Sequence, residues 1–97
     1  MPTHDEYARF LREHAALTRD KQELFARAVT KLVCDLRAGV GIRPSLRAKH
    51  VQGAVGIFEI SWSGDGRATF EYGPEQIPGE PHIIWRRIGG HDILDHP

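Results

Sequence analysis

The sequence predicts an α+β fold, in which an N-terminal hairpin of two helices packs on one face of a twisted, mainly antiparallel sheet of about four strands. Two observations support this prediction. Apolar residues recur at helical spacing as far as Ala38, whereas beyond Pro44 they follow the alternating spacing of strands. The 97 residues can build one modest hydrophobic core but not two, so residues 1–97 are expected to form a single domain.

The helices are expected at about residues 5–17 and 19–38. In both segments apolar side chains recur three and four positions apart, which places them on one face of a helix. Thr18 precedes the second segment and is a suitable N-cap. The second helix should end near Gly39, because glycine suits the left-handed position after a helix and Pro44 prevents continuation.

The strands are expected between residues 46 and 90. Four runs are rich in β-branched and aromatic residues and are separated by turn-forming segments, namely 46–51, 55–62, 67–72 and 82–88. Residues 1–5 are few and polar, so no strand is expected ahead of the helices. The sequence therefore predicts four strands.

Alternation along these strands decides which side chains share a face. Ile60, Phe70 and Tyr72 are expected to face the helices and to join the core. The opposite, open face is expected to collect Lys49, Glu59, Arg67, Thr69 and Glu71, with His91 at its rim.

Charge and composition exclude several classes of protein. Thirteen Lys and Arg residues balance thirteen Asp and Glu residues, so any site for a polyanion must be local. No apolar run approaches the roughly 18 residues of a membrane span, and the charged N-terminal segment lacks the apolar region of a signal peptide. A cytoplasmic location without membrane contact is therefore expected. Cys34 has no second cysteine to pair with and is expected to be a buried thiol.

Local clusters of cations are the candidates for contact with a polyanion. Arg37, Arg43, Arg47 and Lys49 fall within thirteen residues that contain no acid, although a solvated linker would look the same. Arg86 and Arg87 follow Trp85 within a strand. One of the two is expected to face water, and the other to pair with an acid such as Glu71.

Two C-terminal segments supply the most specific motifs. Residues 66–72 read Gly-Arg-Ala-Thr-Phe-Glu-Tyr, and residues 89–92 read Gly-Gly-His-Asp directly after the last strand. In this order, behind a helical hairpin, they resemble the RelE/ParE superfamily of type II toxins, in its HigB-like and YafQ-like branch. The resemblance covers about residues 20–94.

This resemblance implies a function. It implies the toxin of a type II toxin–antitoxin system, a metal-independent endoribonuclease that needs no cofactor and cleaves mRNA in the ribosomal A site until a cognate antitoxin neutralises it. The apolar helix surface and the loop at 73–81 are candidate antitoxin contacts. The reaction requires a ribose 2′-hydroxyl to lose its proton and attack the adjacent phosphate, while the leaving 5′-oxygen gains a proton.

Three residues are expected to carry this chemistry. The guanidinium of Arg67 suits the crowded, charged phosphate of the transition state. The imidazole of His91 suits proton transfer near neutral pH, and Lys49 would neutralise phosphate or share the proton transfer. The RNA-binding residues are expected to be Arg47, His50, Glu59 and Arg87. Of these, His50 and Glu59 compete for the role of general base, and Glu59 is alternatively a partner that orients Arg67.

Two alternatives belong to other classes. Leu94 stands where members of the superfamily commonly place a Tyr or Phe, which favours a non-catalytic, degenerate toxin or a small RNA- or protein-binding module. The four residues His91, Asp92, Asp95 and His96 have the ligand chemistry of a zinc or manganese site. Ligands crowded on a chain terminus rarely enclose an ion, so no metal site is predicted.

Overall fold

The computed structural model describes residues 2–97. In chain order the elements are strand β1 (Thr3–Glu6), helices α1 (Ala8–Ala15) and α2 (Arg19–Ala38), and strands β2 (Lys49–His50), β3 (Phe58–Ser61), β4 (Arg67–Gly73) and β5 (His82–Gly89). Short 3₁₀ turns lie at Pro44–Leu46 and His91–Asp95. The strands form one sheet in the order β1-β5-β4-β3-β2.

The sheet has five strands, so the predicted number of four is wrong. The additional strand is β1, which pairs in parallel with the first half of β5, from Thr3 opposite His82 to Glu6 opposite Trp85. All other neighbouring strands are antiparallel. An edge strand pairs on one side only and tolerates polar side chains that face water, which is why the polar sequence of β1 did not indicate a strand.

The helix prediction is confirmed for α2 and corrected for α1. Thr18 caps α2 through its Oγ1, which accepts a hydrogen bond from the backbone N–H of Lys21 at 3.3 Å. Gly39 ends α2 in the left-handed conformation, with φ of 68°. The first helix is shorter than predicted, because residues 3–6 belong to β1.

Two strands are also shorter than predicted. The run at 46–51 contains only the two residues of β2, because Pro44–Leu46 forms a 3₁₀ turn and Arg47 follows it in the left-handed region, with φ of 51°. The run at 55–62 is a strand only from Phe58, because the backbone N–H of Val51 donates to the carbonyl of Ile57 and closes a loop.

The core lies between the helices and one face of the sheet, as predicted. It consists of Phe10, Phe25, Ala28, Leu32, Leu46, Ile60, Trp62, Ala68, Phe70, Ile83, Trp85 and Ile88. Phe70 is at its centre and is fully buried, with its ring 5.4 Å from that of Trp85. Tyr72 and Cys34 were expected to be buried but are exposed, because Tyr72 lies near the end of β4 and Cys34 on the outer side of α2.

An ion pair fastens the loop after α2 to the helix. Asp35 accepts three hydrogen bonds from Arg43, one from the backbone N–H and two from the guanidinium, each of 2.9 Å. These hydrogen bonds hold the pKa of the Asp35 carboxyl below its usual range. The paired arrangement of two guanidinium donors on one carboxylate fixes the direction in which the chain leaves α2.

The Asp35→Asn variant is expected to be less stable than the wild type at neutral pH, with a difference that disappears in acid. A carboxyl whose pKa is lowered by folding stabilises the folded state above its unfolded-state pKa of about 4. That contribution is lost as the pH falls through the lower, folded-state value. Urea unfolding of both proteins between neutral pH and about pH 3 measures the difference. A difference that stays constant over this range would contradict the assignment.

Candidate functional site

One row of side chains crosses the sheet on the face opposite the helices. Lys49 lies opposite Glu59, Glu59 opposite Thr69, and Thr69 opposite Arg87. Residues directly opposite each other in antiparallel strands point to the same face, with their Cβ atoms about 5 Å apart. The predicted placement of Lys49, Glu59 and Thr69 on one face is therefore confirmed by the register.

The C-terminal segment, residues 90–97, covers part of this face. Arg87 donates to the carbonyl of His96 at 3.2 Å, and Arg86 donates to the carbonyl of Pro97 at 3.0 Å. Ile93 is buried by this packing. The face was expected to be open, but beneath its cover Glu59 is only 4% exposed and Thr69 is completely buried.

A cleft of about 350 Å³ lies between this segment and strands β2 and β3. It is lined by Lys49, His50, Val51, Gln52, Glu59, His91 and Leu94, and we call it the first cleft. Four residues predicted for the site thus meet here from three elements. Within residues 2–97, Lys49 and His91 are exposed and their side chains form no hydrogen bond or ion pair, so both are free to bind a ligand.

Arg67 lies behind Glu59 and does not line the first cleft. Its Nε is 4.0 Å from Glu59 Oε1, and its Nη1 donates to the carbonyls of Gly64 and Gly66 at 3.3 and 3.0 Å. Glu59 therefore lies between two cations, with Lys49 opposite it on β2 and Arg67 beside it. This geometry corresponds to the predicted alternative in which Glu59 is the partner that orients Arg67.

Arg47 does not join the other predicted residues. Its left-handed backbone turns the chain before β2, and it lines a separate cleft together with Arg27 and Lys31 of α2. Arg47 therefore does not line the first cleft, and its expected contact with RNA stays a prediction.

Arg87 lies in the cross-strand row but is held by an acid. Its Nη2 and Nε donate to the carboxylate of Glu13 at 2.6 and 3.3 Å. Glu13 also accepts a hydrogen bond of 3.4 Å from the backbone N–H of Ile88. Because β1 ends at Glu6, the second half of β5 has no neighbouring strand on that side. The Glu13 carboxylate of α1 accepts the backbone hydrogen bond that such a strand would otherwise accept. The expectation of a free Arg87 is therefore corrected.

A further cluster on the same face was not predicted as part of the site. The hydroxyl of Tyr7 donates to Glu71 at 2.7 Å and accepts from Arg86 at 2.9 Å, and Arg86 lies 3.4 Å from Glu71. The hydrogen bond to Glu71 and burial raise the pKa of Tyr7, against the opposing charge of Arg86. The expected pairing of one of the two arginines with Glu71 is confirmed for Arg86.

A bulge in β5 explains why both arginines reach this face. Thr69 lies opposite Arg87, whereas the next residue, Phe70, lies opposite Trp85, so Arg86 is an extra residue in the strand. Simple alternation would have sent Arg86 and Arg87 to opposite faces. The motif Trp-Arg-Arg contains no signal for such a bulge.

Among residues 2–97 no three His, Cys, Asp or Glu side chains are grouped so that they would hold a metal ion, and this includes the C-terminal histidines and aspartates. In the same residues no helix has the length and apolar composition needed to cross a bilayer.

The fold and the cleft define a small α+β protein that presents a partly basic cleft on one sheet face. Solved structures of toxins share this architecture. A copper-bound mutant toxin from Helicobacter pylori is 16% identical, with a TM-score of 0.63 over 97% of this chain and 99% of that chain. The matched chain of the RelB–RelE antitoxin–toxin complex from Methanococcus jannaschii is 16% identical, with a TM-score of 0.62 over 96% of this chain and 99% of that chain.

YafQ in the DinJ–YafQ toxin–antitoxin complex of E. coli is 11% identical, with a TM-score of 0.62 over 96% of both chains. The chain therefore has a RelE/YafQ-like fold, which confirms the predicted α+β architecture apart from the number of strands. No protein-family model matches the sequence, and the search of curated proteins gives no match.

Proposed function

We propose that this chain is the toxin of a type II toxin–antitoxin pair and cleaves mRNA by attack of a ribose 2′-hydroxyl on the adjacent phosphate. The observation that supports the proposal is the first cleft, in which Lys49, His50, Glu59 and His91 meet on a RelE/YafQ-like sheet. These side chains provide the cation and the proton-transfer groups that the reaction needs.

Each residue has a role in the proposed reaction. Lys49 neutralises the phosphate that is attacked, because its ammonium group is exposed and unpaired within the described residues. His91, also exposed at the cleft, protonates the leaving 5′-oxygen. Either His50 or Glu59 accepts the proton of the 2′-hydroxyl, and single substitutions of the two residues distinguish these assignments.

Arg67 acts from behind Glu59 in this proposal. Its charge lies 4.0 Å from the Glu59 carboxylate and opposes the negative charge that this residue would otherwise add to the cleft. Arg67 is thus a positioning residue in this arrangement. Displacement of its contacts to the carbonyls of Gly64 and Gly66 would be needed before it contacts phosphate directly.

An antitoxin is the proposed protein partner, and ribosome-bound mRNA in the cytoplasm is the proposed substrate. The solved YafQ and RelE structures include complexes with DinJ and RelB. Exposed apolar side chains on this chain provide contact surface for such a partner, among them Leu11 on α1 and Ile77 in the loop before β5.

Induced expression of the wild type in a bacterial host is expected to arrest growth and to create new 5′ ends in cellular mRNA. The matched control is a double variant, Lys49→Ala with His91→Ala, which removes the unpaired cation and the proton donor but no buried group. Mapping of mRNA ends, and cleavage by the purified protein in the presence of a chelator, test the activity and its independence from metal.

A folded, soluble wild type that neither arrests growth nor cuts mRNA would contradict the proposal. The result would favour the second candidate, a non-catalytic binding module. That candidate is favoured by the contacts of Arg67, whose guanidinium is occupied by Glu59 and two carbonyls instead of lining the cleft.

A further inference from the structure

A second cleft lies on the same sheet face, on the other side of the C-terminal segment. Its volume is about 410 Å³, and it is lined by Tyr7, Arg9, Ala54, Ile57, Arg86, Arg87, His96 and Pro97. Arg87 ends the cross-strand row that begins at Lys49 in the first cleft. The row spans three strand spacings, about 14 Å, so the two clefts are close enough for one extended ligand to occupy both.

Tyr7 presents a fixed aromatic ring in this second cleft. Its hydroxyl is held between Glu71 and Arg86, and the guanidinium carbon of Arg86 lies 4.9 Å from the ring centroid. The residue is nevertheless 41% exposed. A ring that is already immobilised loses little conformational entropy when a ligand stacks on it.

The charge of the second cleft fits a single phosphate and not a cluster of them. Arg86 and Arg87 are paired with Glu71 and Glu13. Arg9 has no hydrogen bond or ion pair within residues 2–97 and is exposed, so it supplies the free positive charge.

The remaining lining of the second cleft is apolar except for His96. Ala54 and Ile57, from the loop between β2 and β3, face a cleft that Tyr7 lines from the junction of β1 and α1. A flat, uncharged and largely apolar group bearing one phosphate is the ligand chemistry that matches these surroundings. A nucleotide within a single strand has this chemistry, because every base has a face that can stack on an aromatic ring.

We propose that Tyr7 is a stacking platform for a base of single-stranded RNA that runs from the first cleft over the C-terminal segment, with Arg9 contacting the adjoining phosphate. The inference rests on the proposed function, because it takes RNA as the ligand of the first cleft. Of the described residues that line the two clefts, Tyr7 alone has a Phe, Tyr or Trp ring. The cation beneath the ring strengthens its attachment to the sheet, which makes the platform rigid.

Binding of two matched RNAs tests the proposal. All proteins carry His91→Ala, so that the RNA stays intact, and fluorescence anisotropy measures binding of a short labelled single strand. The second RNA has the same backbone but abasic riboses. Tyr7→Leu is expected to weaken binding of the base-containing RNA by roughly 5- to 150-fold and to leave binding of the abasic RNA nearly unchanged. Tyr7→Phe keeps the ring and is expected to retain most of the base-dependent affinity.

Three results would overturn the proposal: equal losses for both RNAs, no loss with Tyr7→Leu, or no measurable binding of the base-containing RNA. Thermal unfolding shows whether Tyr7→Leu is folded. If that variant is unfolded, NMR of the Tyr7 ring protons in the His91→Ala protein tests the proposal instead. Base stacking is expected to move these resonances upfield when the base-containing RNA is added. Unchanged chemical shifts would overturn the proposal. Absence of cleavage by the wild type refutes the proposed nuclease but leaves this base-dependent binding measurable, so the two failures are distinguishable.

Discussion

Replacement of His91 by alanine is expected to slow RNA cleavage by roughly 100- to 10,000-fold, the usual contribution of a positioned acid or base. His91 is exposed, lines the first cleft and begins the 3₁₀ turn after β5. Its side chain forms no hydrogen bond within residues 2–97, so its removal should leave the fold intact. Single-turnover cleavage of labelled RNA measures the loss, and thermal unfolding of the variant checks the fold.

Asp95→Ala is the matched control for this prediction. Asp95 lies in the same 3₁₀ turn, is exposed and lines neither cleft, so its replacement is expected to leave the cleavage rate within about twofold of the wild type. Equal rates for the wild type and His91→Ala would remove His91 from the mechanism. A large loss in both variants would point to displacement of the C-terminal segment instead of lost proton transfer.

Phe70→Ala is expected to lower the free energy of unfolding by about 3–5 kcal/mol. Phe70 is fully buried in the central strand, with its ring centroid 5.6 Å from those of Phe58 and Tyr72. Truncation removes these contacts and leaves a cavity that the paired strands cannot close. The loss is a large part of the roughly 5–15 kcal/mol by which domains are usually stable, so the variant should be close to unfolding. Urea unfolding followed by circular dichroism measures it.

Val55→Ala provides the comparison for Phe70→Ala. Val55 is fully exposed in the loop between β2 and β3, and its truncation is expected to change stability by less than about 0.5 kcal/mol. A loss of stability for Phe70→Ala as small as that for Val55→Ala would mean that the core is not centred on β4.

The elements whose signals are local in the sequence were predictable. Helix α2 was expected at 19–38 and lies there, because Thr18 and Gly39 mark its two ends. The core positions Ile60 and Phe70 followed from alternation, which is a property of the strand itself. Strand β1 was missed because its pairing with β5 joins residues 79 positions apart, from Thr3 to His82, and polar edge residues give no sign of it.

The candidate site was predicted only in part, because some of its contacts also join residues that are far apart in the sequence. Alternation predicted Lys49 and Glu59 on one face with His91 at its rim; the register places the first two there, and His91 lines the first cleft with them. The ion pair of Arg87 is formed with Glu13, which lies 74 positions earlier in the chain, and no spacing pattern in the sequence connects the two residues. Tyr7 fitted the apolar stripe of a longer first helix, so its exposed position between β1 and α1 was not foreseen.

The position of β5 in the sheet has a consequence for synthesis of the chain. This strand lies between β1 and β4, although the ribosome makes it after both of them. The sheet is therefore incomplete until residues 82–89 have left the exit tunnel, and His91 joins the cleft only after that. Pairing of such distant segments is slow compared with local helix formation. A nascent chain consequently lacks an assembled cleft while most of it is being translated.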